Sequence, residues 1–229
     1  MNPPIGNPLR SPLNMTIVAL ALLAGVLLML LGVKRLAEGS DGNSASPDRQ
    51  GQAQVHDQQP GIPVVWTDRP LGPLGLAEIR VDKSDQVLTV FDAGLPVKSY
   101  RAAIGQVPGD KQVEGDRKTP EGEFYVCLRQ GRGQTRFTRA LGLSYPNAED
   151  ARRGLAAGII TQRDYDRIVY EIDRGRQPPW NTPLGGQILI HGEYENSGPD
   201  TAGCVRLSDR DILELFPRIP VGTRVIIQP

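Results

Sequence analysis

The sequence predicts a mainly β domain with a few short helices, carried behind one apolar N-terminal helix. Three observations lead there. Beyond residue 62, short runs rich in β-branched and aromatic residues recur between turn signals. Only three stretches carry the residues that open a helix. One long apolar run stands apart near the N-terminus. The strand spacing suggests an antiparallel-rich sandwich or barrel.

The elements follow in chain order. Residues 1–14 form a short N-terminal segment with one basic residue, Arg10. Met15 to Val33 reads MTIVALALLAGVLLMLLGV, nineteen positions without a charge. A helix of that length rises far enough, at about 1.5 Å per residue, to cross a bilayer. The rival is a cleaved signal peptide, whose apolar part is shorter, about 7–15 residues, and ends at a small-residue cleavage site. Here the run is longer and stops at Lys34-Arg35, which favours an uncleaved anchor. Arg10 on one side and Lys34-Arg35 on the other leave the charge rule for orientation close to a tie. Residues 34–61 are rich in Ser, Gly, Asp, Gln and Pro and read as a flexible linker, since they hold too little apolar surface to order themselves. His56 lies in that linker as a solvated side chain.

From 62 to 229 the pattern is that of a folded domain. Strands are expected at 78–81, 87–91, 97–104, 123–128, 188–191 and 224–227, with turns at Asp92-Ala93-Gly94 and Pro108-Gly109-Asp110. Asn147 with Asp150 opens a short helix that Gly158 closes. Thr161 with Asp164 forms a capping box for a second helix reaching about Asp173, with Tyr165, Ile168, Val169 and Ile172 as its buried stripe. Ser208 with Asp211 opens a third; Ile212, Leu213, Leu215 and Phe216 face inward and Pro217 stops it.

Composition excludes several function classes. The 26 basic and 26 acidic residues cancel, so no basic surface awaits phosphates, and nucleic acid is not an expected partner. Two Cys and two His do not make a zinc site, and no metal or cofactor is expected. The glycines punctuate turns instead of cradling phosphate.

The chemistry concentrates in one place. His191 closes the apolar run Gln187-Ile188-Leu189-Ile190, and Cys204 follows thirteen positions later in Thr201-Ala202-Gly203-Cys204-Val205-Arg206-Leu207. Thiol and imidazole make a minimal nucleophile and base. Without the cysteine, His191 reads as an ordinary strand-end histidine. Cys204 sits shortly before the third helix, whose N-terminal dipoles give a thiolate partial support.

These residues resemble the active-site signature of the YkuD-type L,D-transpeptidases, commonly His followed later by Ser/Thr-x-Gly-Cys-x-Arg. Three further blocks are similar to the family in the same order. They are Gly105 to Gly122 with Asp110-Lys111 and Lys118-Thr119-Pro120-Glu121-Gly122, then Leu143-Ser144-Tyr145-Pro146-Asn147, then Gly222-Thr223-Arg224-Val225. Together they span about residues 76–229. Ala202 stands where many members have His, and the loop from Gly192 to Thr201 is shorter than in many; this form is closest to the YafK-like subgroup.

The resemblance implies a YkuD-like β-sandwich or barrel of mixed sheets acting on peptidoglycan stem peptides. It also breaks the orientation tie: residues 1–14 cytoplasmic, a single-pass anchor in the cytoplasmic membrane, the domain in the periplasm, or secreted if the leader is cleaved. By resemblance Cys204 is the nucleophile, His191 the base, the Gly192 carbonyl the holder of the imidazole tautomer, and the Gly203 and Cys204 N–H groups the oxyanion hole. Arg206 would grip a substrate carboxylate, or else bridge to Asp209 or Asp211. Thr201 and Tyr145 would contact substrate, and Trp180 would line the cleft, although aromatics also belong in cores. The expected reaction is transpeptidation through a thioester. The alternatives are a hydrolase with the same dyad, and a non-catalytic wall-binding domain in which Cys127 and Cys204 form a disulfide.

Overall fold

The structure is a computed structural model and describes residues 61–193 and 201–229. The expected membrane anchor at 15–33, most of the linker, and Tyr194, Asn196 and Pro199 lie outside the described residues. Among the described residues no helix is long and apolar enough to cross a membrane.

Eight strands form one mixed sheet: β1 (Ala77–Asp82), β2 (Val87–Asp92), β3 (Leu95–Arg101), β4 (Gly122–Gln130), β5 (Ala140–Leu143), β6 (Leu189–His191), β7 (Val205–Arg206) and β8 (Arg224–Gln228). Their order across the sheet is β3-β2-β1-β8-β4-β5-β6-β7. The β1–β8 and β6–β7 pairs are parallel and the other five antiparallel. The sheet curls until its ends meet. Ala103, just past β3, exchanges two backbone hydrogen bonds of 2.8 Å with Arg206 of β7. Gly105 bridges Thr201 in parallel, through the Thr201 N–H to the Ile104 carbonyl at 2.9 Å and the Gln106 N–H to the Thr201 carbonyl at 3.1 Å. Of the expected sandwich or barrel, the structure takes the curled form: a single mixed sheet whose two edges are bridged.

Alternation explains the core. On β1, Ile79 and Val81 point inward while Glu78 and Arg80 point out. Their partners on β8 are Val225 and Ile227, so apolar faces lie side by side. Phe124, Leu141, Leu143, Ile190 and Val205 continue this core, and Ile212, Leu215 and Ile219 cover it. Each such side chain contributes roughly 1.5–3 kcal/mol on burial. Upstream of β1, Ile62 and Leu71 are also buried, and Val65 exchanges hydrogen bonds with Ser99 of β3.

Three helices complete the domain: α1 (Ala148–Ala156), α2 (Gln162–Ile172) and α3 (Asp209–Leu215). Asn147 and Thr161 each close a reciprocal capping box with Asp150 and Asp164, and the Ser208 hydroxyl accepts the Asp211 N–H. Two packing expectations need correction. Of the α2 stripe only Ile168 is fully buried, because α2 packs with α1 on a small satellite core of Ala151, Ile160 and Leu184. On α3, Leu213 is 47% exposed; it lies about 100° around the helix from Ile212. The α-helix ends at Leu215, ahead of Pro217 as expected, and Phe216–Arg218 follows as a 3-10 turn.

Strands β5 and β7 escape the sequence pattern. The first reads ALGL, with no β-branched residue, and the second has two residues. Conversely, the run expected to reach Ile104 leaves its strand at Arg101, so that 103 and 105 can join the opposite edge.

Candidate active site

His191 and Cys204 come together through the parallel β6–β7 pair. The register matches Ile190 with Val205 and His191 with Arg206. Ile190 and Val205 belong to the core, so by the period of two His191, Cys204 and Arg206 share the opposite face. The Cys204 sulfur lies against the backbone N–H of Leu189, two residues before His191, and 3.5 Å from the Gln187 carbonyl.

The His191 ring is fixed from three sides. Its Nδ1 is 2.5 Å from the Gly192 carbonyl, so Nδ1–H donates there and Nε2 keeps its lone pair. Phe137 stacks on the imidazole, with centroids 3.7 Å apart and planes at 22°. Only 5% of the residue's surface remains exposed. Burial pushes the imidazole down to about 4, helped by the nearby Arg206 and Arg136 charges. Burial also pushes the Cys204 thiol up, against weaker opposing effects from the Leu189 N–H, Arg136 and Lys111. The resting pair is therefore neutral thiol and neutral imidazole.

Phe137 belongs to the β4–β5 loop, residues 131–139, which folds over the site. Thr138 donates to the Asp209 carboxylate at 2.5 Å, and the same oxygen accepts the Glu193 N–H at 2.9 Å. The Gly192 N–H donates to the Arg139 carbonyl. This close approach requires glycine: a Cβ at 192 would lie 2.6 Å from Asp209 Oδ1 and 2.8 Å from Ile212.

The turn into Cys204 is equally tight. The Thr201 hydroxyl donates to the Cys204 carbonyl at 2.6 Å and accepts the Gly203 N–H at 3.1 Å. Thr201 is 8% exposed and serves this turn, not a substrate. The Gly203 N–H, expected in an oxyanion hole, is already occupied by it. Gly203 has φ +129°, and a Cβ there would meet the Lys118 carbonyl at 2.7 Å. That carbonyl is held by a braced loop, residues 105–121. Lys83 donates to the Gly109 and Thr119 carbonyls and to Glu121, while Asp116 accepts from Lys111 and from the Gln112, Val113 and Lys118 N–H groups.

A pocket of about 330 Å³ opens on Cys204, lined also by Gln130, Thr135, Arg136, Phe137, Trp180, Gln187 and Leu189. Trp180 thus lines the cleft as expected. Tyr145 does not: it is 0% exposed in the core, its hydroxyl donating to the Leu184 carbonyl at 3.0 Å. Arg206 lines a different hollow, with Arg101, Asp85 and Glu193. An open hollow of about 640 Å³ along α2, beside Arg163, Tyr170 and Pro178, holds neither nucleophile nor imidazole.

Cys127 and Cys204 are both free, so the disulfide alternative does not hold here. Burial pushes the Cys127 thiol up to about 12, which leaves it inert. Among the described residues no group of three or more His, Cys, Asp or Glu is placed to hold a metal ion. Arg136 and Phe137 carry no signal in the sequence; they matter because the loop brings them to His191, and Asp209, read in the sequence as a partner for Arg206, holds that loop through Thr138.

This arrangement can support acyl transfer: a thiol beside an imidazole whose acceptor nitrogen is defined, opening on a pocket with a cation. YafK of Escherichia coli K12 is 27% identical over 121 residues, which are 53% of this chain and 35% of that protein. The chain spans about a third of the length of the curated relatives it matches. Among solved structures, the helical cell shape determining protein Pgp2 of Campylobacter jejuni is similar at 23% identity and a TM-score of 0.48, covering 67% of this chain and 47% of that one. An L,D-transpeptidase of Xylanimonas cellulosilytica is similar at 18% identity and a TM-score of 0.40, covering 71% and 65%. The family model for YkuD, the L,D-transpeptidase catalytic domain, matches residues 77–227, and this chain belongs to that family.

Proposed function

We propose that the domain is a peptidoglycan L,D-transpeptidase that works through a Cys204 thioester. The observation that carries this is the His191 ring locked on the Gly192 carbonyl, with Nε2 left to take a proton, on the strand paired beside Cys204.

In the reaction, His191 Nε2 accepts the Sγ proton as sulfur attacks the carbonyl carbon of the third residue of a tetrapeptide stem. The C–S bond forms and the carbonyl oxygen becomes an oxyanion, which the Cys204 N–H would hold. Collapse restores the carbonyl and breaks the C–N bond. The His191 proton passes to the departing amine, and D-alanine leaves. The amine of a second stem then gives a proton to Nε2 as it attacks the thioester. The new C–N bond forms, the C–S bond breaks, and sulfur recovers its proton. A neutral resting pair suits this cycle, because the proton moves only as the C–S bond forms. The 15–33 run would anchor the domain outside the cytoplasmic membrane, where the murein substrate lies.

Incubation with purified tetrapeptide muropeptides tests the proposal. Cross-linked dimers are expected. Release of tripeptide alone would make the protein a hydrolase using water as acceptor, and no turnover would remove both.

A further inference from the structure

The pocket that opens on Cys204 has an uneven charge. Among the eight described residues that line it, Arg136 is the charged one. Arg136 is exposed at the surface of the β4–β5 loop, with its guanidinium 5.1 Å from the centroid of the Phe137 ring. Phe137 in turn stacks on His191. Arginine, aromatic ring and imidazole therefore form one layered wall beside the nucleophile.

The loop that carries this wall is pinned at two points close to the reacting groups. Thr138 is held by Asp209, and the Arg139 carbonyl by the Gly192 N–H. The guanidinium is thus placed relative to the base by the backbone on which the base sits. Its charge reaches both partners, disfavouring protonated His191 and favouring ionised Cys204. Arg206, which the sequence motif singled out, lines another hollow together with Asp85 and Glu193. Those carboxylates reduce its usefulness toward an anion.

We infer that Arg136 is the specificity-determining residue that recognises a carboxylate of the acyl donor in the Cys204 pocket. The inference rests on the transpeptidase reading. A guanidinium offers two parallel N–H donors that match a carboxylate. A tetrapeptide donor has two carboxylates near the attacked carbonyl, one on the departing D-alanine and one on the side chain of the diamino acid. The shared requirement is an anion held at a fixed distance from Sγ. That anion aligns the carbonyl for attack, and a neutral donor loses the alignment.

The test uses the full chain and three synthetic tetrapeptide donors: both carboxylates free, the terminal one amidated, and the side-chain one amidated. The wild-type protein is expected to lose roughly 10- to 100-fold in kcat/KM for one of the amidated donors, the scale of a charge-assisted hydrogen bond. Arg136→Gln should lower the rate on the free donor to that same level and be indifferent to that amidation. Arg136→Lys should restore part of the discrimination, and Arg206→Gln should keep it. Any change in thiol reactivity affects all donors alike and cancels in their ratio. The amidation that matters identifies the carboxylate. An unchanged ratio in Arg136→Gln, a ratio erased by Arg206→Gln instead, or a wild type indifferent to both amidations overturns the inference alone. A wild type that consumes none of the donors removes the transpeptidase reading with it.

Discussion

Two neighbouring regions treat charge in opposite ways. In the braced loop and α1, buried charges are matched: Lys83 with Glu121 at 2.6 Å, Lys111 with Asp116 at 2.9 Å, Arg153 with Asp110 at 2.9 Å and Asp150 at 2.7 Å. In the cleft, His191 is buried with two cations nearby and, among the described residues, no carboxylate that shifts it, and stays neutral. Both regions belong to the motif blocks that point to the family, yet they do different work. The matched charges hold the Lys118 carbonyl behind Gly203. The unmatched imidazole is kept free to accept a proton. Motif membership alone does not separate a brace from a reactive group; the charge balance around each residue does.

The largest expected effect breaks the reactive side. Cys204→Ala should abolish the covalent adduct that a carbapenem-type acylating agent leaves on the protein, read by intact mass. His191→Ala should slow adduct formation on the order of 10²- to 10⁴-fold, the usual share of a general base. An adduct that persists in Cys204→Ala would mean that another nucleophile had been overlooked. Neither change should lower thermal stability as much as a change in the brace.

The brace is the next target. Asp116→Ala leaves the buried Lys111 without its carboxylate and frees three backbone N–H groups. Breaking one side of a buried pair costs about 3–5 kcal/mol. Denaturant unfolding should show that loss. Equal midpoints for Asp116→Ala and wild type would show that the loop holds itself without the pair.

A smaller change sharpens the cleft side. Phe137→Ala uncovers the His191 ring, so its pKa should climb from about 4 toward the solution value. The acid limb of kcat/KM should then move to higher pH, with a rate loss of about tenfold at pH 5. An unmoved acid limb would mean that the stacked ring does not control the base.

The sequence carried much of this fold and less of its site. Ile79, Val81, Val225 and Ile227 alternate clearly enough to reveal β1 and β8, and all three helix caps were visible as local chemistry. The parallel β6–β7 pair was not visible, because two residues have no period and their pairing depends on the whole curl of the sheet. Cys204, His191 and Gly192 were legible through spacing and resemblance. Arg136 and Phe137 were not, because only tertiary packing brings a loop between β4 and β5 over the end of β6. Tyr145 shows the reverse error: a motif residue placed in the core, where its hydroxyl needs a carbonyl partner and finds Leu184.

The finest test lies in how the two regions respond to acid. His191 is pushed down to about 4 in the fold, against about 6.5 when unfolded. Between those values the unfolded chain binds more protons, so stability is lost as pH falls from about 6.5 toward 4. Asp150 is displaced the other way. Burial raises it to about 6 despite its Arg153 partner, from an ordinary value near 3.8. Between those values the folded chain binds the extra proton, so this group adds stability as pH falls from about 6 toward 3.8. The two opposing slopes nearly cancel, and the wild type should show a shallow stability profile from pH 6.5 to 4. Asp150→Asn removes one slope and leaves the other. Its profile should fall with acid, by on the order of 2–3 kcal/mol across the window, where the wild type stays nearly flat. Urea unfolding at pH 4.5, 5.5 and 7 measures it. Parallel profiles for the two proteins would show that Asp150 titrates as an ordinary carboxylate, and that α1 is tied to the brace by charge as fully as the loop itself.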